Sequence, residues 1–188
     1  MDTRHDTRVW DLPVRVFHWA LVACFVGVYA LGDTERWRNV HVTLGYTVLG
    51  LIAFRLLWGF VGTHHARFRS FAFSPCAAVR YLRDEVTGKA ERHLGHNPAG
   101  SWAVYGLLLL GIATGVTGYL TYSEVGGEAL EEVHEVCANA WLALVGLHVL
   151  GVVFSSFMQR ENLVRAMVTG RKRGAATGTE PRSWAALG

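Results

Sequence analysis

The sequence predicts an all-α integral-membrane protein, a four-helix bundle with both termini on the cytoplasmic side. Two features of its residue pattern predict this. The chain has 188 residues, 51% of them hydrophobic and 18% charged, and the apolar residues fall in four blocks at about 12–32, 40–61, 101–122 and 134–157. Each block approaches or exceeds the ~20 residues a helix needs to cross a bilayer. The basic residues alternate across those blocks. Arg4, Arg8 and Arg15 stand at the start. Arg67, Arg69, Arg80, Arg83, Lys89 and Arg92 lie between blocks two and three, and Arg160, Arg165, Arg171, Lys172, Arg173 and Arg182 follow block four. The other two connections hold only Arg36 and Arg38. The positive-inside rule therefore sets both termini and the 62–100 connection on the cytoplasmic side.

The net charge of +3 matters less than this distribution. Basic segments beside apolar spans read as topology determinants and contacts to lipid headgroups, not as a nucleic-acid site. Residues 1–170 read as one four-span domain, and 171–188, rich in Gly, Ala and Thr, as a flexible basic tail. The first apolar run carries Arg15 and His18 and lacks a small-residue cleavage site, so a cleaved signal peptide is not expected. Cys24 and Cys137 fall inside spans and Cys76 on the cytoplasmic side, so no disulfide is expected.

Taken in order, residues 1–11 are polar and expected to be mobile. Span one follows Asp11, a good helix cap, with Pro13 tolerated in the first turn. It places His18 just inside the cytoplasmic edge. The loop 32–39 is short, so spans one and two are antiparallel neighbours. Span two opens on His41 at the external side. Gly45, one turn on, leaves room beside that ring. Arg55 comes fourteen residues after His41, on the same face and near the cytoplasmic edge. Gly62 ends the helix. The connection 62–100 holds a helix-like stretch at 74–88, with Pro75 at its start, Gly88 at its end and a weak apolar stripe suited to the membrane surface.

Span three begins near Pro98 and has no histidine. Its Gly111, Gly115 and Gly118 share a face, which permits close helix approach or space for a flat ligand. The acidic external loop 123–133 leads into span four, which carries His134 and His148. Fourteen residues at ~1.5 Å rise separate these two by ~21 Å on nearly one face.

A histidine inside a span is a functional-site hypothesis, because an unpartnered polar ring in hydrocarbon is costly. Antiparallel threading sets the depths. His41 matches His134 near the external face, and His18 matches His148 near the cytoplasmic face. Neutral imidazoles above and below a porphyrin suit iron, and facing helices can supply them. Two bis-histidine b-type haems are the simplest chemistry for this arrangement. The sequence has no C-x-x-C-H, so the haems are expected to be non-covalent. Taken singly, His41 or His134 reads equally well as an interfacial residue. Zinc prefers three or four close ligands and fits two distant pairs poorly. His64–His65 and His93-x-x-His96 lie outside the spans, as ordinary basic-loop residues or a soluble metal site. Arg55 either snorkels to cytoplasmic water or pairs with a propionate of the cytoplasmic haem.

Several stretches resemble the bacterial cytochrome b561 / nickel-hydrogenase cytochrome b family. They are VWDLPVRVFHW (9–19), HVTLGY (41–46), FRLLWGFVGTHHARF (54–68), LGHNPAG (94–100) and the VHE…GLH pair (133–135 and 146–148). The resemblance implies a four-helix membrane bundle with two b haems, passing electrons between a quinone pool and a redox partner. It also implies that the ligand histidines are His18, His41, His134 and His148.

Three functions follow as expectations. The first is a dihaem electron-transfer cytochrome between ubiquinone or menaquinone and a periplasmic partner, such as a cytochrome c or a dehydrogenase or hydrogenase subunit. Glu124, Glu128, Glu131 and Glu132 either dock a basic partner or form a solvated loop. The second, drawn from the resemblance, is a stand-alone superoxide:ubiquinone oxidoreductase. The third is a non-haem tetraspan metal carrier or scaffold, which predicts a colourless protein.

Overall fold

A computed structural model describes residues 6–32 and 34–173. Within them the chain folds as four long helices, two short ones and a two-stranded ribbon. The elements are β1 (Asp6–Arg8), α1 (Leu12–Leu31), α2 (Arg38–Val61), α3 (Pro75–Val86), α4 (Pro98–Tyr122), α5 (Gly127–Met158), α6 (Leu163–Thr169) and β2 (Arg171–Arg173). Helices α1, α2 with its preceding turn, α4 and α5 are long and apolar enough to cross a membrane. Their outward faces carry side chains such as Leu57, Leu109, Leu147 and Val153, all more than half exposed. Such a surface suits lipid and would be a liability in water.

Caps set the helix ends where the residue types predict. The Asp11 carboxylate accepts from the Val14 N–H, with Pro13 in the first turn of α1. Ser74 does the same for Ala77 at α3, and Asn97 for Gly100 at α4. Each such cap contributes roughly 1 kcal/mol. Gly62 closes α2.

The four long helices pack α1 on α2, α2 on α4 and α4 on α5. Small residues allow these approaches. A Cβ at Gly111 would come within 2.7 Å of Ile52 and 3.0 Å of Trp141. A Cβ at Gly115 would strike Leu49, and one at Gly106 would lie 2.8 Å from Leu144. Phe17, Val48, Ile52, Leu108 and Trp141 form the buried centre, one side chain or more from each long helix. Trp141 is seven residues from both His134 and His148, so this apolar plug lies between the two histidine depths.

One end of the bundle is closed by chain segments remote in sequence. β1 pairs antiparallel with β2, Asp6 opposite Arg173 and Arg8 opposite Arg171. The Val9 and Trp10 N–H groups donate to the Gly170 carbonyl at 2.9 and 3.1 Å, and the Arg15 guanidinium donates to the Val168 carbonyl. Gly170 has φ 78°, a left-handed conformation that glycine adopts without a Cβ clash. Asp11 also accepts from Trp58 Nε1 at 2.9 Å and Thr63 Oγ1 at 2.8 Å, tying α1 to the end of α2. Glu161, 7% exposed, accepts from Arg92 at 2.8 Å and from the Arg173 N–H at 2.7 Å. Lys172 donates to the His93 carbonyl at 2.9 Å. The first and last described segments and the long connection therefore share this end, which we call the basic end. The other end, with the 123–126 turn, is the acidic end.

Residues 6–8 and 171–173, which fall in the expected polar leader and basic tail, pair as β1 and β2. Segments of three residues, DTR and RKR, are too short to show a period-2 pattern. The remainder of the expected tail, 174–188, and residues 1–5 lie outside the described residues.

Candidate functional site

The structure brings His41 and His134 together at the acidic end. Their ring centroids are 6.5 Å apart and the planes stand at 87°. Each ring is held by its Nδ1. His41 Nδ1 donates to the Val28 carbonyl at 2.9 Å. His134 Nδ1 meets the Thr114 carbonyl at 3.0 Å and Thr117 Oγ1 at 3.2 Å. With Nδ1–H committed to a carbonyl, Nε2 carries the lone pair, which is how ligating imidazoles are commonly oriented. Two such neutral imidazoles, each with a free Nε2, are a donor set that would suit an iron held between them.

The space around these rings is kept by glycines. A Cβ at Gly118 would stand 2.8 Å from His134 Cε1, so α4 needs glycine there for α5 to seat its histidine. A Cβ at Gly45, one turn beyond His41, would meet nothing within 4 Å. The side of α2 next to His41 is therefore open.

At the basic end, His18 on α1 and His148 on α5 are both half-buried. His18 Nδ1 is buried without a hydrogen-bond partner. Between the two ends, the 14-residue separation of His134 and His148 on one continuous helix gives ~21 Å. Among the described residues no three or more His, Cys, Asp or Glu side chains gather as a metal cluster. Of the four histidines in the spanning helices, His41 and His134 meet at the acidic end, and His18 and His148 lie toward the basic end.

Arg55 lies at the basic end, 3% exposed. Its guanidinium lies within the bundle end and not at the surface. It lies over Phe68 and Phe71, 4.9 and 5.8 Å from the ring centroids. Gly59 makes room for this: any Cβ there would collide with the Phe68 ring. Arg55 Nη1 has no hydrogen-bond partner, and among the described residues no carboxylate forms an ion pair with it.

His96 is the residue that loop position conceals. It precedes α4, yet its ring packs 4.3 Å from Phe71 and 4.7 Å from Trp10. Burial, reinforced by the positive charges of Arg55 and Lys172, pushes it down to about 3, so the ring is neutral. Its Nδ1 is buried and unpartnered. The signal for it was the G-H-N-P run, in which Asn97 caps α4 and fixes the residue just before it against the bundle end. His93 and His65 are also pushed down chiefly by burial, and among the described residues neither belongs to a group of three or more His, Cys, Asp or Glu side chains.

A bundle of four apolar spanning helices with paired imidazoles between them is the architecture of a membrane cytochrome b. The chain belongs to the prokaryotic cytochrome b561 family, whose sequence model matches residues 9–170. That membership implies b-type haem. Similar proteins include the probable Ni/Fe-hydrogenase B-type cytochrome subunits of Bradyrhizobium diazoefficiens and Azotobacter vinelandii. The first is 22% identical, covering 90% of this chain and 87% of the relative. The second is 27% identical over 86% of each. The probable Ni/Fe-hydrogenase 1 B-type cytochrome subunit of Escherichia coli K12 is 22% identical over 86% of this chain and 88% of its own length. No solved structure matches the chain.

Proposed function

We propose that this protein is a dihaem b-type cytochrome of the bacterial inner membrane, passing electrons between a membrane quinone and a redox partner at the periplasmic face. The observation that carries the reading is the His41–His134 pair, spaced at 6.5 Å with both Nδ1 atoms held by carbonyls. His41 and His134 would hold the haem at the acidic end, and His18 and His148 the one at the basic end. Bound there, each haem supplies a reversible one-electron couple at its iron.

The chain's own part is to hold and insulate those centres. Facing helices present the imidazoles, carbonyls of Val28 and Thr114 set their tautomers, and Trp141 with its neighbours keeps the middle dry. The basic residues gathered at the basic end favour its placement on the cytoplasmic side. The acidic end then faces the periplasm, where exposed Glu128, Glu131 and Glu132 form a surface for a basic partner. The names of the relatives favour a hydrogenase-type subunit as that partner; a cytochrome c fits the same surface chemistry. The Arg55 guanidinium, buried and without a carboxylate, suits a propionate of the haem at the basic end.

The test is the visible spectrum of the purified protein, oxidised and dithionite-reduced, with pyridine haemochrome quantification. Two b haems per chain are expected. One haem would remove one of the pairs from the scheme. A colourless protein, expressed with ample haem, would leave a non-haem tetraspan carrier or scaffold in its place.

A further inference from the structure

Three hydrogen-bonding atoms at the basic end are buried without partners: Arg55 Nη1, His96 Nδ1 and Tyr105 Oη. They come from three separate segments, α2, the loop before α4, and α4 itself. All three side chains pack around one ring, Phe71, which is 5% exposed. The Arg55 guanidinium carbon is 5.8 Å from the centroid of Phe71, the His96 ring 4.3 Å and the Tyr105 ring 5.6 Å. Phe68 closes the group, 6.0 Å from Tyr105 and 4.9 Å from Arg55.

An orphaned buried polar atom costs ~1–3 kcal/mol, and a buried unpaired charge costs more. Three in one cluster point to a missing acceptor. The charge selects its chemistry. Among the described residues no carboxylate pairs with Arg55, and the oxygens of Asp11, at the start of α1, are taken by Val14, Trp58 and Thr63. A neutral acceptor would leave the guanidinium uncompensated, whereas a carboxylate would neutralise it and accept from more than one donor.

We propose that His96 and Tyr105, together with Arg55, form a single buried receptor for a propionate carboxylate of the haem at the basic end. Arg55 supplies the charge. His96 and Tyr105 are positioning residues that fix where the carboxylate sits, so the 94–105 segment becomes part of that haem site. The inference rests on the dihaem reading above.

Resonance Raman spectroscopy of the full-length holoprotein tests it through the propionate bending bands, which respond to hydrogen bonding at the carboxylate. Wild type is compared with H96L, H96Q and Y105F. The band belonging to one haem should shift in H96L and in Y105F, and H96Q, which keeps a donor, should bring it back. Loss of one haem in H96L with its retention in H96Q supports the same assignment. H96L and Y105F proteins that hold two haems and keep the wild-type bands overturn it. Weakened binding of oxidised decylubiquinone in those variants, with the bands unmoved, also overturns it and gives the donors to a quinone carbonyl. A wild-type protein with fewer than two haems fails the dihaem reading itself, a result read from the haemochrome assay and not from the Raman bands.

Discussion

His41 and His134 face each other across the acidic end with ring centroids 6.5 Å apart, each anchored by a carbonyl on a neighbouring helix. The anchors sit on α1 and α4, so all four long helices take part in placing one pair of rings.

That arrangement predicts how the pair fails. Replacing His41 or His134 with Ala should lower haem content from two per chain to one, leaving the pair at the basic end intact. Haemochrome quantification of each single variant checks it. Loss of both haems from a protein that remains folded by circular dichroism would count against independent sites.

Thr117 tests the support of the ring. Its hydroxyl lies 3.2 Å from His134 Nδ1. Removing such a supporting partner typically costs 10–100-fold in metal affinity. Thr117→Val keeps the volume, so haem loss into an excess of apomyoglobin should accelerate at one haem only. Unchanged release kinetics would show that the Thr114 carbonyl suffices alone.

Gly118→Ala should act on the same ring sterically. The new methyl would fall 2.8 Å from His134 Cε1, under any normal contact. Overpacking of this kind costs typically 1–3 kcal/mol. The reduced spectrum should lose the contribution of one haem, and Gly45→Ala, where nothing lies within 4 Å, should be milder.

Asp11 links the start of α1 to the end of α2, and its loss should be felt as stability. Burial opposes its ionisation, but hydrogen bonds from Val14, Thr63 and Trp58 outweigh burial and hold the carboxyl below its ordinary value of 3.8. The folded-state value is the lower one, so the unfolded chain binds the proton more readily. The stabilisation is therefore complete above pH 3.8 and disappears as pH falls through the folded-state value. Asp11→Ala should destabilise the protein at pH 7 by about 1–3 kcal/mol. Thermal unfolding in detergent at pH 7 and pH 3 measures it, with the difference between variant and wild type shrinking at the lower pH.

Electron exchange at the acidic end should depend on salt. Exposed glutamates would steer a basic partner, and screening shortens to about 8 Å at physiological ionic strength. Reduction rates by a basic cytochrome c should fall as salt rises, and should fall already at low salt in a Glu128→Gln, Glu131→Gln, Glu132→Gln protein. Rates indifferent to both would remove electrostatic docking at this face.

The sequence by itself determined whatever depends on one helix or its ends. The four apolar blocks announce the spans, because length in a bilayer is set by rise per residue. The fourteen-residue spacings of His41 with Arg55 and of His134 with His148 are properties of single helices, so their shared faces could be read without a fold. Short loops forced antiparallel neighbours, which placed His41 level with His134. Asp11 and Pro98 were recognisable helix starts because capping is local chemistry.

Tertiary structure alone decided the basic end. There β1, β2, α6 and the 62–97 connection meet through backbone hydrogen bonds and single side chains such as Glu161, and three-residue strands leave no periodic trace. His96 had the appearance of a solvated loop histidine. It becomes a half-buried neutral ring with a buried Nδ1 because the Asn97 cap turns the chain into α4 and sets it against Phe71 and Trp10, residues 25 and 86 positions away. Burial is a sum over such distant neighbours. No window of sequence contains that sum, so the orphaned donors around Phe71 appear only when the helices are packed.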